Sequence, residues 1–129
     1  MAKIKVSTKG LADSLEQLAQ LGKDLDAAAS QALLAGGEIL KAGMVQRVPK
    51  NTHNLENHIG IDGPTQDGNF IFIEVGVIGA DATTTRYGNA QEYGTSSMPA
   101  QSYVRSTVES DKSQASKAML QALREAMTP

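Results

Sequence analysis

The residues from Lys23 to Val48 are helical in type almost throughout, and the length of that run limits every fold open to the chain. At 1.5 Å per residue a continuous helix there extends about 39 Å. A compact domain of 129 residues has a radius of gyration of about 14 Å. One element therefore spans the expected globule, so the subunit should be elongated or flattened, with its surface completed by neighbours. Ala27-Ala28-Ala29, Leu33, Leu40, Met44 and Val48 mark the apolar face. Gly36-Gly37 interrupts it, each glycine costing roughly 1 kcal/mol relative to alanine. The pair is either a kink or a place where another backbone packs closely; the periodicity resumes in phase, which favours close packing. Pro49 ends the run.

Around this element the pattern changes period. Lys3 to Val6 alternates charged and apolar residues and reads as a short edge strand with its lysines facing water. Leu11, Leu15, Leu18, Leu21 and Leu25 then fall on one helical stripe, which Gly22 either breaks or loosens. After a turn at Leu55, the chain becomes extended to Asp62, with Ile59 and Ile61 on one side. Gly63 to Gly68 is turn chemistry throughout. Asn69 to Ile78 is the strongest strand, and the runs 57–62 and 69–78 should pair as an antiparallel hairpin. Ile71, Ile73, Val75 and Val77 share one face of it; Phe70, Phe72, Glu74 and Gly76 share the other. Either a helix covers each face, the favoured reading, or Phe70 and Phe72 await a partner chain. Gly79 to Arg86 reads as a mobile loop. A last helix should run from Gln101 to Met127, broken near Ser110-Asp111, with Val104, Val108, Ala115, Met119, Ala122 and Ala126 on its shallow face. The expectation is one α+β domain over residues 1–129: a small antiparallel sheet, made of the hairpin and the N-terminal strand, packed by the long helical segment and the C-terminal helix.

The segment from Tyr87 to Gln101 has the character of a short helix stopped at a set point. Gly94 suits a left-handed residue just past a helix end, Thr95 to Ser97 offer hydroxyls to orphan backbone groups, and Pro99 keeps the helix from resuming. Glu92, Tyr93 and Met98 are thereby held on a corner. Arg105 either forks onto Glu92 as an ion pair or is a surface arginine without a lasting contact.

The run Glu92-Tyr93-Gly94-Thr95-Ser96-Ser97-Met98-Pro99-Ala100-Gln101, followed by Tyr103 and Arg105, resembles the E-[FY]-G-T-x-x-M-x-A-x-P-[FY]-[LV]-R-P-A signature of the tailed-phage tail-component family. Val48-Pro49-Lys50-Asn51-Thr52-His53-Asn54-Leu55 is similar to that family's A-P-x-x-T-G-x-L segment, placed as here between a long helix and a hairpin. His53 stands where the family usually has Gly, and Ser102 and Ser106 where Pro is common. The resemblance implies a structural virion protein at the head-to-tail joint, a neck or tail-completion protein. It also implies a homohexameric ring, with phage head-closure, tail-terminator or tail-tube proteins as neighbours and the host cytoplasm as the place of assembly. The residues expected at subunit or neighbour contacts are Phe70, Phe72, Glu92, Tyr93, Gly94, Thr95, Met98, Pro99 and Arg105. A tail terminator or head-closure ring is the alternative within the class; a small cytosolic enzyme or binding module is the alternative outside it.

Composition narrows the remaining options. With no cysteine there is neither a disulfide nor a thiolate metal site. Met1 to Val6 has charge but no apolar signal region, and no apolar run is long enough to span a bilayer. Twelve basic residues against fourteen acidic ones, with only 4% aromatics, lack the footprint of a nucleic-acid grip, although DNA would pass through a ring of this kind. His53 and His58 fail the spacing of a helical zinc site, no serine sits in a Gly-x-Ser-x-Gly elbow, and no glycine-rich phosphate fingerprint is present. Asp24 with Asp26, and Glu109 with Asp111, read as charged helix faces. No catalytic, metal or cofactor site is expected.

Overall fold

Alternation at the N-terminus gives β1, Lys3–Ser7, and one 3-10 turn, Thr8–Leu11, leads into α1, Ala12–Gln20. The computed structural model describes residues 3–22, 24–48, 54–68, 70–97 and 99–127. Gly22 takes φ +71°, a left-handed value, and α1 stops there. The leucine stripe is broken with it: Leu11 and Leu18 are buried, but Leu21 is 57% exposed. Asp24 starts α2, Leu25–Arg47, by accepting the Ala27 N–H at 3.2 Å, so α2 is a separate 23-residue helix. It ends at Val48, which is extended at φ −67°, ψ 142°, the conformation that a following proline imposes. Pro49 itself lies outside the described residues.

A single turn, α3, Asn54–Asn57, precedes β2, Ile59–Asp67, and β3, Phe70–Val77. The sheet is three-stranded and antiparallel in the order β1-β3-β2, which leaves β3 central. Gly63 to Gly68, expected to be turn throughout, is mostly strand. A register shift between Asp62 and Thr65 takes up Gly63 and Pro64, and β2 then continues to Asp67, so the hairpin turns at Gly68. An edge strand accommodates a proline there because one side of it needs no N–H donor.

Register fixes the faces. Ile4 lies opposite Val75, Val6 opposite Ile73, Ile59 opposite Val77 and Ile61 opposite Val75. α2 lies on this face so closely that a Cβ on Gly37 would stand 2.6 Å from Ile73 Cδ1. The other face carries Lys5 and Asp62 opposite Glu74, and Ser7 opposite Phe72. Phe72 is half-buried with the Lys5 ammonium 4.3 Å from its ring centroid, and Phe70 is 39% exposed. This polar face points to water. Phe72 therefore lies under Lys5 rather than under the covering helix that was the favoured expectation, whereas Phe70, at the start of the strand, borders residues of α1 and α2.

Residues expected to form a mobile loop instead begin α4, Ala82–Tyr93. Asp81 accepts the Thr84 N–H at 2.8 Å, and this cap prevails over the poor helix propensity of three successive threonines. The Thr84 hydroxyl first, and then that backbone bond, hold the Asp81 carboxyl below its ordinary range. α5, Tyr103–Met127, is unbroken through Ser110-Asp111. Asp111 faces α2, where Arg47 forks onto it at 2.8 and 3.4 Å. α2 and α5 are antiparallel: a Cβ on Gly43 would meet Asp111 and Thr107, and one on Gly36 would meet Met119 at 2.6 Å and Ala115 O at 3.4 Å. Gly36 and Gly37 thus serve close approach on two sides of one uninterrupted helix. Leu33, Met44, Leu55, Ile73, Val75, Tyr103 and Leu123 form the centre of the core.

Candidate functional site

At the end of α4 the backbone groups of two helices satisfy one another. Gly94 donates its N–H to Ala90 O at 2.8 Å and takes φ +78°, ψ 173°, a region that only glycine enters readily. The hydroxyls beyond it bond locally, with Thr95 Oγ1 accepting from Ser97 N at 3.3 Å, so they do not cap α4 as expected. Residues at the start of α5 do that instead. Gln101 N–H donates to Gln91 O, Ser102 Oγ to Glu92 O at 2.9 Å, and the Tyr103 hydroxyl to Gly88 O at 3.1 Å.

Glu92 returns the favour. Its carboxylate is only 5% exposed and accepts the N–H groups of Val104 at 2.8 Å and Arg105 at 2.9 Å. These are first-turn donors of α5 that lack intrahelical partners, and a negative charge suits a helix N-terminus. Of the two alternatives left open for Arg105, the side-chain fork onto Glu92 does not form. Both carboxylate oxygens are taken by backbone N–H groups, one of them from Arg105 itself, and the guanidinium donates to Ser102 Oγ at 3.2 Å.

Gly88 and Tyr103 lock the corner. A Cβ at Gly88 would lie 3.0 Å from Leu55 Cδ2 and 3.1 Å from the Tyr103 hydroxyl, so any larger residue would press both aside as the hydroxyl reaches the carbonyl. Burial pushes the Tyr103 phenol well above its ordinary range, and the Glu92 charge adds to the shift. Sequence reasoning gave Gly88 no role; the available signal was a lone glycine inside a helical pattern, which usually has a packing cause.

The expected contact residues separate into two sets. Glu92 and Gly94 hold the corner, whereas Tyr93 is 65% exposed and Thr95, Pro99 and Arg105 are exposed beside it. Met98 lies outside the described residues. Phe70 is elsewhere, bordering a cleft with Thr8, Leu15 and Leu25 at the start of α2. Because α2 and α5 run antiparallel, that cleft sits toward the end of α5 and the corner at its beginning. The 25 residues of α5, about 37 Å of helix, separate the two.

Among the described residues, no group of three or more His, Cys, Asp or Glu side chains is placed to hold a metal ion, and no helix is long and apolar enough to cross a membrane. His53 lies outside those residues. Every buried side-chain nitrogen and oxygen among them has a hydrogen-bond partner.

The described residues thus form an α+β scaffold with a three-stranded antiparallel sheet and two long packed helices, and with Tyr93 and Phe70 exposed toward opposite ends of α5. Residues 9–94 match the family described as "Bacteriophage HK97-gp10, putative tail-component", and the chain belongs to that family of structural phage tail proteins. The matched stretch takes in Glu92-Tyr93-Gly94 and stops before the α5 residues that Glu92 holds. No curated protein and no solved structure matches the chain.

Proposed function

We propose that the chain is a structural protein of the head-to-tail joint, which finishes or attaches the tail as a homohexameric ring between head-closure and tail-terminator or tail-tube neighbours. It assembles in the host cytoplasm and remains in the virion, and it acts by shape without catalysis. The observation that carries this reading, beside family membership, is the corner. A buried carboxylate and a buried phenol are spent on joining two helix ends, and the product is a fixed corner on which Tyr93 and Arg105 are exposed. Rigid presentation of an exposed aromatic and an arginine is what a protein interface needs, since those side chains dominate interface energetics. Tyr93→Ser should leave the melting temperature unchanged and abolish joining of heads to tails, scored by electron microscopy of particles. A wild-type particle yield, or a position in the particle map away from the joint, would refute the reading.

A further inference from the structure

The two exposed ends differ in shape and in charge. At the corner, Tyr93 shares a concavity with Arg105, and Arg86 stands exposed two turns back on the same face of α4. At the opposite end, Leu15, Leu25, Ala29, Phe70 and Ile71 border a cleft of about 310 Å³. The charged side chains lining that cleft are Glu16 and Asp26. Leu25 and Phe70 are 37% and 39% exposed, a large apolar surface for a cleft rim.

We infer that the Tyr93 corner of one copy seats in the Leu25/Phe70 cleft of the next, with Arg86 and Arg105 meeting Glu16 and Asp26; this rests on the ring reading above and names its contact. Charge disfavours the self-paired alternatives. Corner against corner sets arginines facing arginines, and cleft against cleft sets carboxylates facing carboxylates, whereas corner against cleft pairs opposite signs. The tyrosine ring supplies apolar area while its hydroxyl stays at the wet rim. Since the two surfaces lie at opposite ends of the subunit, the contact is head-to-tail, the kind that builds closed rings when its rotation closes.

The chain has no cysteine, so introduced thiols report the contact directly. Tyr93→Cys and Phe70→Cys, both at exposed positions, are purified separately, mixed in equal amounts and oxidised. The mixed disulfide should exceed the roughly one-half share that random pairing gives, by several-fold over either homodimer. Adding Arg105→Glu to the first variant should reduce the mixed product roughly tenfold, and adding one compensating reversal, Glu16→Arg or Asp26→Arg, to the second should restore it. Random proportions, a dominant Tyr93→Cys homodimer, or monomers alone would overturn the pairing. A specific mixed disulfide from a chain that never enters particles would uphold the contact and defeat the head-to-tail role. Random disulfides together with lost joining in Tyr93→Ser would do the reverse.

Discussion

Glu92 caps a helix, α5, that begins only at Tyr103, and its substitution tests whether that long-range cap holds the corner. In Glu92→Gln the amide oxygen keeps one N–H, the amide nitrogen confronts the other, and the charge at the α5 terminus is lost. A cost of about 2–3 kcal/mol is expected in denaturant unfolding. A change below about 0.5 kcal/mol would mean that the two short bonds at 2.8 and 2.9 Å do not act as a unit. Tyr103 makes a second test through pH. Its folded-state ionisation lies above the ordinary value of 10.0, so above that pH the unfolded chain gives up the proton first. The tyrosine's contribution is therefore complete below about pH 10 and drains away as pH rises further. Tyr103→Phe should be less stable than wild type by about 1 kcal/mol at neutral pH, having lost the bond to Gly88 O. That gap should narrow between pH 10 and 11; a constant gap would show that the phenol ionises freely in the folded protein. The residues of this corner were legible in the sequence as a group, but their roles were not. A motif places Glu92 near Arg105 without revealing that the arginine's backbone is the partner.

Between elements, α2 lies against α5 and the sheet on faces made largely of alanine and glycine. Gly43 is the tightest point, where a Cβ would collide with the Asp111 carboxylate and lie 2.7 Å from Arg47 Nη1. Gly43→Ala gains about 1 kcal/mol of helix propensity. It also forces the Arg47–Asp111 pair apart and overpacks the seam, so a net loss of about 1–3 kcal/mol is expected. A stabilised variant, measured by thermal melting, would show that the seam has room. Long elements announced themselves by period: α2, α5 and β3 stand close to where apolar spacing sets them, and Gly36-Gly37 packs closely as the resumed phase implied. Local chemistry that competes with period did not. Gly22 ended α1 and exposed Leu21, Asp81 began α4 inside an apparent loop, and a bulge carried β2 past Pro64. Each of those outcomes depends on a capping bond or an edge position, which a linear pattern does not encode. The break expected at Ser110-Asp111 failed for a related reason, because Asp111 is there for Arg47 on another helix.

For the whole molecule, charge is the property that a DNA-threaded ring constrains most. Each phosphate neutralised by lysine or arginine adds affinity that depends on salt, and a channel that gripped its cargo would slow DNA passage. This chain carries a formal net charge of −2. Its basic groups are also partly engaged, with Arg47 on Asp111 and the Lys5 ammonium over Phe72. The remaining exposed cations at the corner, Arg86 and Arg105, are spoken for by a neighbouring subunit if the head-to-tail contact forms. Duplex DNA should therefore show no complex in fluorescence anisotropy at about 0.15 M salt with protein up to about 100 µM, near the weak limit of ordinary non-specific binding. The free subunit is the more demanding case, because the proposed contact would bury its arginines. Binding by the free subunit that disappears once rings form would locate those arginines in the interface. Micromolar binding that survives assembly would place a basic surface on the channel wall, and the proposed passage of DNA past a non-adhesive ring would be wrong.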